Sequence, residues 1–452
     1  MNERIKSILT ALVLALAPIA ALARTGPFFD FVYHGLLFDV IQGTDNVSLN
    51  GIRTPTEHVI IPDTVEFNGK KYAVTKIAGA GLNITTEQLE PGIPYELEPN
   101  KVTKTITIPE TVTSIKGTLY ECSKLTTINF PKGLSEYDLK FYNCSGLKEF
   151  TFPEVAKAIP EAAFVECDSL ETVYLPDSVE SIGDKAFSGC DALKHIINID
   201  RVKTIGDRAF ENCTALEELP LTDNSRLESI GNEAFIGCTG LDHFYFPKSI
   251  NNIGSKAFKG LNLREVSIPG GCDISLYYSF AECPELRTVS IGEGPTKLIG
   301  TFIDCPKLTY VRLPESATTL SYTFYNCPSL TDVTYSSKLA KIGNNTFSGT
   351  AIRTLQIPPT VTEIANGGLA DCNNLYFIEF LDGPDELSFY ETYGGYPHGT
   401  INSPALRELY VGRSIKGLSV SGCSDKLATV NFGSQVKSID SDFLVDMPLI
   451  TK

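Results

Sequence analysis

The chain repeats itself at intervals of 22 or 23 residues, and this period restricts its fold more than any other property. One copy runs Leu170-Glu-Thr-Val173-Tyr-Leu175-Pro176-Asp-Ser-Val179-Glu-Ser-Ile182-Gly183-Asp-Lys-Ala186-Phe187-Ser-Gly-Cys190, and Leu193 opens the next. The large apolar position recurs at Leu119, Phe141, Phe164, Phe187, Phe210, Phe235, Phe258, Phe280, Phe302, Phe324, Phe347 and Leu369. Successive intervals are 22, 23, 23, 23, 25, 23, 22, 22, 22, 23 and 22 residues. Val420 and Phe443 resume the series after an expanded unit, and Leu82 reads as a degenerate first member. A unit this short cannot bury its apolar residues alone, so neighbouring copies must stack into one continuous core.

Each copy reads as a short strand, a turn and a tight Ile-Gly-x-x-Ala-Phe arc. In Leu286-Arg-Thr-Val289-Ser-Ile291, the alternation points Leu286, Val289 and Ile291 inward and leaves Thr288 and Ser290 in solvent. The expected architecture is a mostly β, right-handed solenoid of about fifteen rungs, with a parallel sheet along one face and a β-rich N-terminal cap.

The pattern Leu-x-x-Val-x-Ile-Pro-x-x-Val-x-x-Ile-Gly-x-x-Ala-Phe-x-x-Cys resembles the BspA-like leucine-rich-repeat family of bacterial surface proteins. The resemblance covers about residues 102–450. The N-terminal region from Phe31 to Ile77, with Ile61-Pro62-Asp-Thr-Val65 and Tyr72-Ala-Val-Thr-Lys-Ile77, is similar to the segment that precedes the repeats in that family. The resemblance implies the leucine-rich-repeat solenoid and adhesion to host or neighbouring-cell surface proteins. It implies no shared active site, because the repeated residues are core residues.

The organisation that follows is a signal peptide at 1–23, a capping region at 24–101 and the solenoid at 102–452. In the first segment Arg4 and Lys6 precede an apolar run from Ile8 to Ala20 and the small-residue site Ala21-Leu22-Ala23. The chain is therefore expected to be exported: secreted, periplasmic or held at the cell surface. No later segment is apolar over the ~20 residues of a membrane span. A formal net charge of −16 repels phosphate backbones, which disfavours nucleic acid as a partner.

Individual function belongs where the repeat gives no structural reason for a residue. Among the outward strand positions, Tyr174, His195, His243 and Tyr245 fall on nearby rungs, and Tyr310 and Arg312 share another. Aromatic and planar polar groups are favoured in protein interfaces and also stack on sugar rings. An insertion near 381–400 interleaves Phe389, Tyr390, Tyr393, Tyr396 and His398 with glycines and Pro397. Two arrangements fit it: a binding loop rich in tyrosine, or rings folded back onto the solenoid flank. A second insertion, at 83–103, is rich in Pro and Glu and is expected to be a solvated loop. A calcium or basic-partner site is the alternative there, although no Asp-x-Asp-x-Asp-Gly spacing is present.

Twelve cysteines in an exported protein suggest disulfides, but their spacing does not. Cys122, Cys144, Cys167, Cys190, Cys213 and Cys238 hold one place in successive copies, and Leu261 or Thr350 takes that place elsewhere. A slot that accepts leucine suits a buried free thiol, so a mostly reduced ladder is expected. Cys272 lies off the ladder. Neither Cys-x-x-Cys nor His-Glu-x-x-His occurs, and Gly417-Leu-Ser419-Val-Ser421 lacks the second glycine of a nucleophile elbow. The expected protein is not an enzyme and uses no cofactor or metal. Its expected partners are proteins, with glycans as the second class.

Overall fold

The computed structural model of the protein describes residues 29–78, 82–85, 97–271, 275–365, 367–390, 399–421, 426–439 and 443. The expected signal peptide, most of the acidic Pro-rich stretch and Cys272 lie outside the described residues.

The repeat produces a mostly β solenoid of about 15 turns, with almost no helix among the described residues. Strands pair in parallel and in strict register, copy to copy. Thr172–Tyr174, for example, sets Thr172, Val173 and Tyr174 beside His195, Ile196 and Ile197. One sheet was expected, and a second parallel ladder runs along the adjoining flank. There Ser181–Ile182, Thr204–Ile205, Ser229–Ile230 and Asn252–Ile253 stack in order. The cap enters this second ladder through Lys70–Ile77. That strand is antiparallel to Thr64–Phe67 across a turn at Asn68 and Gly69, yet parallel to Ser114–Tyr120.

The recurrent phenylalanines form the axis of the core. From Phe141 to Phe347 each ring stacks on the next at centroid distances of 4.7 to 6.1 Å, with planes within 28° of parallel. These separations lie close to or somewhat above the ~4.8 Å strand spacing, so the backbone repeat sets the ring stack. The Ile-Gly step that recurs at Ile182, Ile205, Ile230, Ile253 and Ile342 has a steric cause. A Cβ on Gly231 would lie 2.5 Å from both the Asp207 nitrogen and the Gly206 carbonyl carbon of the preceding rung. Any side chain there would push the coils apart.

Ten cysteines, Cys122 through Cys327 on the ladder and Cys372, are free and buried, as their spacing implies. The slot does more than fill space. Cys213, Cys238 and Cys327 direct their Sγ atoms at the carbonyls of Phe187, Phe210 and Phe302 one rung back, at 3.1, 2.9 and 3.0 Å. Where Thr350 replaces cysteine, its hydroxyl donates to the Phe347 carbonyl at 2.8 Å instead. Burial pushes the Cys190 and Cys283 thiols well above the ordinary range and the Cys372 thiol up to about 12. A thiol reagent such as Ellman's is thus expected to label no more than two of the twelve cysteines in the native protein and all of them in guanidinium chloride. Native labelling of several would contradict the buried ladder.

Neither strand ladder is continuous. At its widest break the first stops after His195–Ile197 and restarts at Glu265–Ile268, and the second stops after Asn252–Ile253 and restarts at Ser275–Tyr277. The phenylalanine arc spans both breaks. Phe210, Phe235 and Phe258 donate their backbone N–H groups to the carbonyls of Ala234, Ala257 and Ser279 at 2.8, 3.0 and 2.9 Å. One of the three sides therefore always carries the hydrogen bonds that hold adjacent coils together.

Candidate interaction surface

Strand alternation fixes which residues the first ladder presents. With Val173 and Ile196 locked in the core, Thr172, Tyr174, His195 and Ile197 must face outward. The register forms two outward columns, one through Thr151, Tyr174 and Ile197, the other through Glu149, Thr172 and His195. Tyr174 and His195 lie diagonally across adjacent rungs. Farther along, Thr288, Tyr310 and Asp332 form one column and Ser290, Arg312 and Thr334 the other. Tyr174, Tyr245 and Tyr310 are all exposed, and the Tyr310 hydroxyl meets the Thr334 hydroxyl at 3.3 Å. Each of these tyrosines thus keeps more than a third of its surface free for contact.

The densest chemistry sits where the first ladder is broken. The copy between Phe210 and Phe235 is 25 residues long and places Pro220, which has no N–H, at a strand position. Residues 218–221 and 243–246 accordingly form no strand, and their side chains converge instead. His243 Nδ1 lies 2.7 Å from Asp242 Oδ1, and its Nε2 is 3.6 Å from Glu218 Oε2. Arg264 reaches Asp242 at 3.2 Å. The Tyr245 hydroxyl donates to Asp223 at 2.7 Å, and Lys248 approaches the same carboxylate at 3.4 Å. Glu218, Asp223, Asp242 and Arg264 were not distinguishable as site residues in the sequence. The signal that could have located them was the two extra residues around Leu219-Pro220-Leu221.

The hydrogen bond to Asp242 raises the His243 pKa, with the Glu218 charge adding to the effect, and correspondingly lowers that of Asp242. Because the folded value is raised, the charged pairing is fully present below about pH 6.5 and is lost as pH rises through the folded value. The side chain is largely exposed, so the consequence is for surface charge rather than stability. A proton NMR titration is expected to place the His243 midpoint above 6.5, and Asp242→Asn to move it down. A midpoint indifferent to Asp242→Asn would show that the pair does not form.

The insertion is placed differently from its appearance in the sequence. Phe389 is not a loop residue. It lies in strand Leu387–Tyr390, is 8% exposed, and meets Phe380 edge-on at 6.4 Å. Leu387 and Phe389 alternate with Ser388 and Tyr390 as in any other rung, and Ile364 pairs with Phe389. Phe389 is therefore core, not contact surface. Tyr390 is half-buried on the same strand, beside the Lys341–Glu363 ion pair at 2.8 Å. Tyr393, Tyr396 and His398 lie outside the described residues.

The family of BspA type leucine rich repeat regions, six copies long, matches residues 98–194, 157–287, 203–321 and 298–392, together more than half of the chain. The chain belongs to the BspA-type leucine-rich-repeat family. The match stops at 392, short of the expected 450, yet Glu408–Lys416 and Thr429–Ile439 continue the parallel ladder of the BspA-type array. A leucine-rich repeat protein from Bacteroides ovatus shares the fold at 24% identity and a TM-score of 0.65, over 85% of this chain and 94% of its own. A leucine rich cell surface protein from Faecalibacterium prausnitzii aligns at 17% identity and a TM-score of 0.39, over 96% of this chain and all of its own. The pneumococcal vaccine antigen PcpA aligns at 15% identity and a TM-score of 0.37, over 90% and 98%. No curated protein matches the chain. Among the described residues no helix is long and apolar enough to cross a membrane.

Proposed function

We propose that this BspA-type chain is an exported, non-catalytic protein that binds protein surfaces of host or neighbouring cells through the outward columns of its first ladder. The observation that carries the reading is the exposure of Tyr174, Tyr245 and Tyr310 on rungs whose alternate residues are fixed in the core. Large rings held on a rigid support lose little conformational freedom on binding, which makes them effective interface anchors. Arg312 supplies a planar cation in the same region, and the network around His243 supplies charge complementarity for a partner with basic groups. Family membership supports the non-enzymatic, surface-associated part of the reading.

Surface plasmon resonance of the intact protein against a broad panel of extracellular matrix and cell-envelope proteins tests it. Saturable binding to at least one panel member is expected. Silence across the panel would count against the proposal. The contribution of the insertion is tested by deleting 391–398 alone, because a wider deletion would remove strand Leu387–Tyr390 from the core.

A further inference from the structure

A second cluster of tyrosines lies off the first ladder, on the neighbouring flank, where three consecutive copies are only 22 residues long. In the 23-residue copies, the residue two before the core phenylalanine has a left-handed backbone and is Ala162, Lys185, Arg208, Lys256 or Asn345, with φ between 47° and 56°. The small residue that follows it is a buried alanine in each of these copies except that of Phe347, where it is the buried Thr346. The short copies change both positions. The left-handed residue becomes Tyr278, Gly300 and Tyr322, with φ of 53°, 60° and 51°. The buried residue becomes Ser279, Thr301 and Thr323, whose hydroxyls donate to the Gly254, Leu276 and Leu298 carbonyls of the rung before at 3.2, 2.7 and 2.7 Å. These bonds fix the rungs that carry the rings.

A left-handed backbone is unfavourable for a bulky side chain, and neither Tyr278 nor Tyr322 offsets that cost by entering the core. The ring of Tyr278 lies across Gly300. A Cβ on Gly300 would fall 2.5, 2.7 and 2.8 Å from its Cε1, Cδ1 and Cζ atoms. Only glycine lets this ring lie along the array toward Tyr322, two rungs away, a rise of about 10 Å. Tyr325 stands against Tyr322 at 6.4 Å and 72°, and Tyr277, the last residue of strand Ser275–Tyr277, directly precedes Tyr278. Tyr277 and Tyr325 are 39% and 37% exposed. Beside Tyr325, Asn326 donates to Asp304 at 2.6 Å, a polar pair at the margin of the aromatic strip. No lysine or arginine occurs in 275–282, 298–304 or 320–326.

We propose that Tyr278, Tyr322 and Tyr325 form a stacking platform for a neutral pyranose oligosaccharide, with Asn326 and Asp304 as partners for its hydroxyls. Aromatic rings that recur along the array suit a ligand whose flat apolar faces recur along a chain, and their hydroxyl edges suit its polar rim. The net charge of −16 disfavours an anionic glycan, and the bordering Lys256 and Lys259 are already paired with Glu233 and Glu282. The site is independent of the protein-binding face, so its failure would leave that reading intact.

The test is calorimetric titration of the intact protein with cellohexaose, N-acetylchitohexaose and an α-1,6-linked mannohexaose. At least one hexamer is expected to bind saturably. The double substitution Tyr278→Ala with Tyr322→Ala is expected to weaken that binding by about tenfold or more without lowering the melting temperature. Gly300→Ala, which displaces the Tyr278 ring, is expected to weaken it in the same direction. Absence of binding to all three hexamers would overturn the proposal. So would binding that the double substitution leaves unchanged, or loss of a protein partner by that variant when no hexamer binds.

Discussion

Replacing Phe235 by alanine is expected to lower the unfolding free energy by about 3 to 5 kcal/mol, measured by urea denaturation. The ring stacks between Phe210 and Phe258, each at 5.3 Å, and Phe244 meets it edge-on at 5.4 Å. It is fully buried, and its neighbours are held by the rungs above and below, so the vacated space cannot close by a local shift. The rung at Phe235 is also where the first ladder is absent, which leaves the core, the phenylalanine arc and the short Ser229–Ile230 strand of the second ladder as its attachments. Stability in a repeat array is a sum of unit and interface contributions. The substitution is therefore expected to broaden or split the unfolding transition there. A loss below about 1 kcal/mol would show that the aromatic axis does not hold the array together.

Arg413→Ala is expected to destabilise the C-terminal part of the array by about 2 to 5 kcal/mol, whereas Arg413→Met is expected to cost much less. Arg413 has no measurable exposure, although it sits in a strand and carries a charge. Its guanidinium donates to the Pro359 carbonyl at 2.7 Å and to the Pro358 carbonyl at 2.9 Å, crossing the expanded unit to reach an earlier rung. Burial lowers its pKa to about 10, a sign that the cation is poorly solvated. Alanine would leave both carbonyls without that donor and open a cavity. Methionine would fill the space and remove the buried charge. Equal losses from the two substitutions would mean that the hydrogen bonds, rather than the filled volume, dominate the site.

The period made the fold legible because a strict copy-to-copy register lets one assigned residue assign its whole column. Once Val289 and Ile291 were read as inward, the outward placement of Tyr174, His195, Tyr310 and Arg312 followed, and the pairing of Ser290 with Arg312 agrees. The same regularity identified the cysteine slot, since the position accepts leucine and threonine without change elsewhere. What the pattern concealed were residues acting against their type. Arg413 looks like a surface residue because nothing local announces that two consecutive proline carbonyls, more than fifty residues earlier, point at it. Phe389 looked like a loop residue because of the glycines and proline that follow it. The alternation of Leu387 and Phe389 with Ser388 and Tyr390 was the stronger signal. The partners of His243 and Tyr245 were hidden by the two-residue expansion, which shifts Glu218 and Asp223 out of the phase that the period supplies.

The outward columns of the first ladder are the surface through which this protein is proposed to act. The most direct test is the affinity of the intact protein for a partner captured from the protein panel, compared with that of a Tyr174→Ala, Tyr245→Ala, Arg312→Ala variant. These side chains contribute little to the core, so the melting temperature is expected to hold while the affinity falls by about tenfold or more. A variant that melts like the parent and binds with the parent's affinity would contradict the assignment of this face.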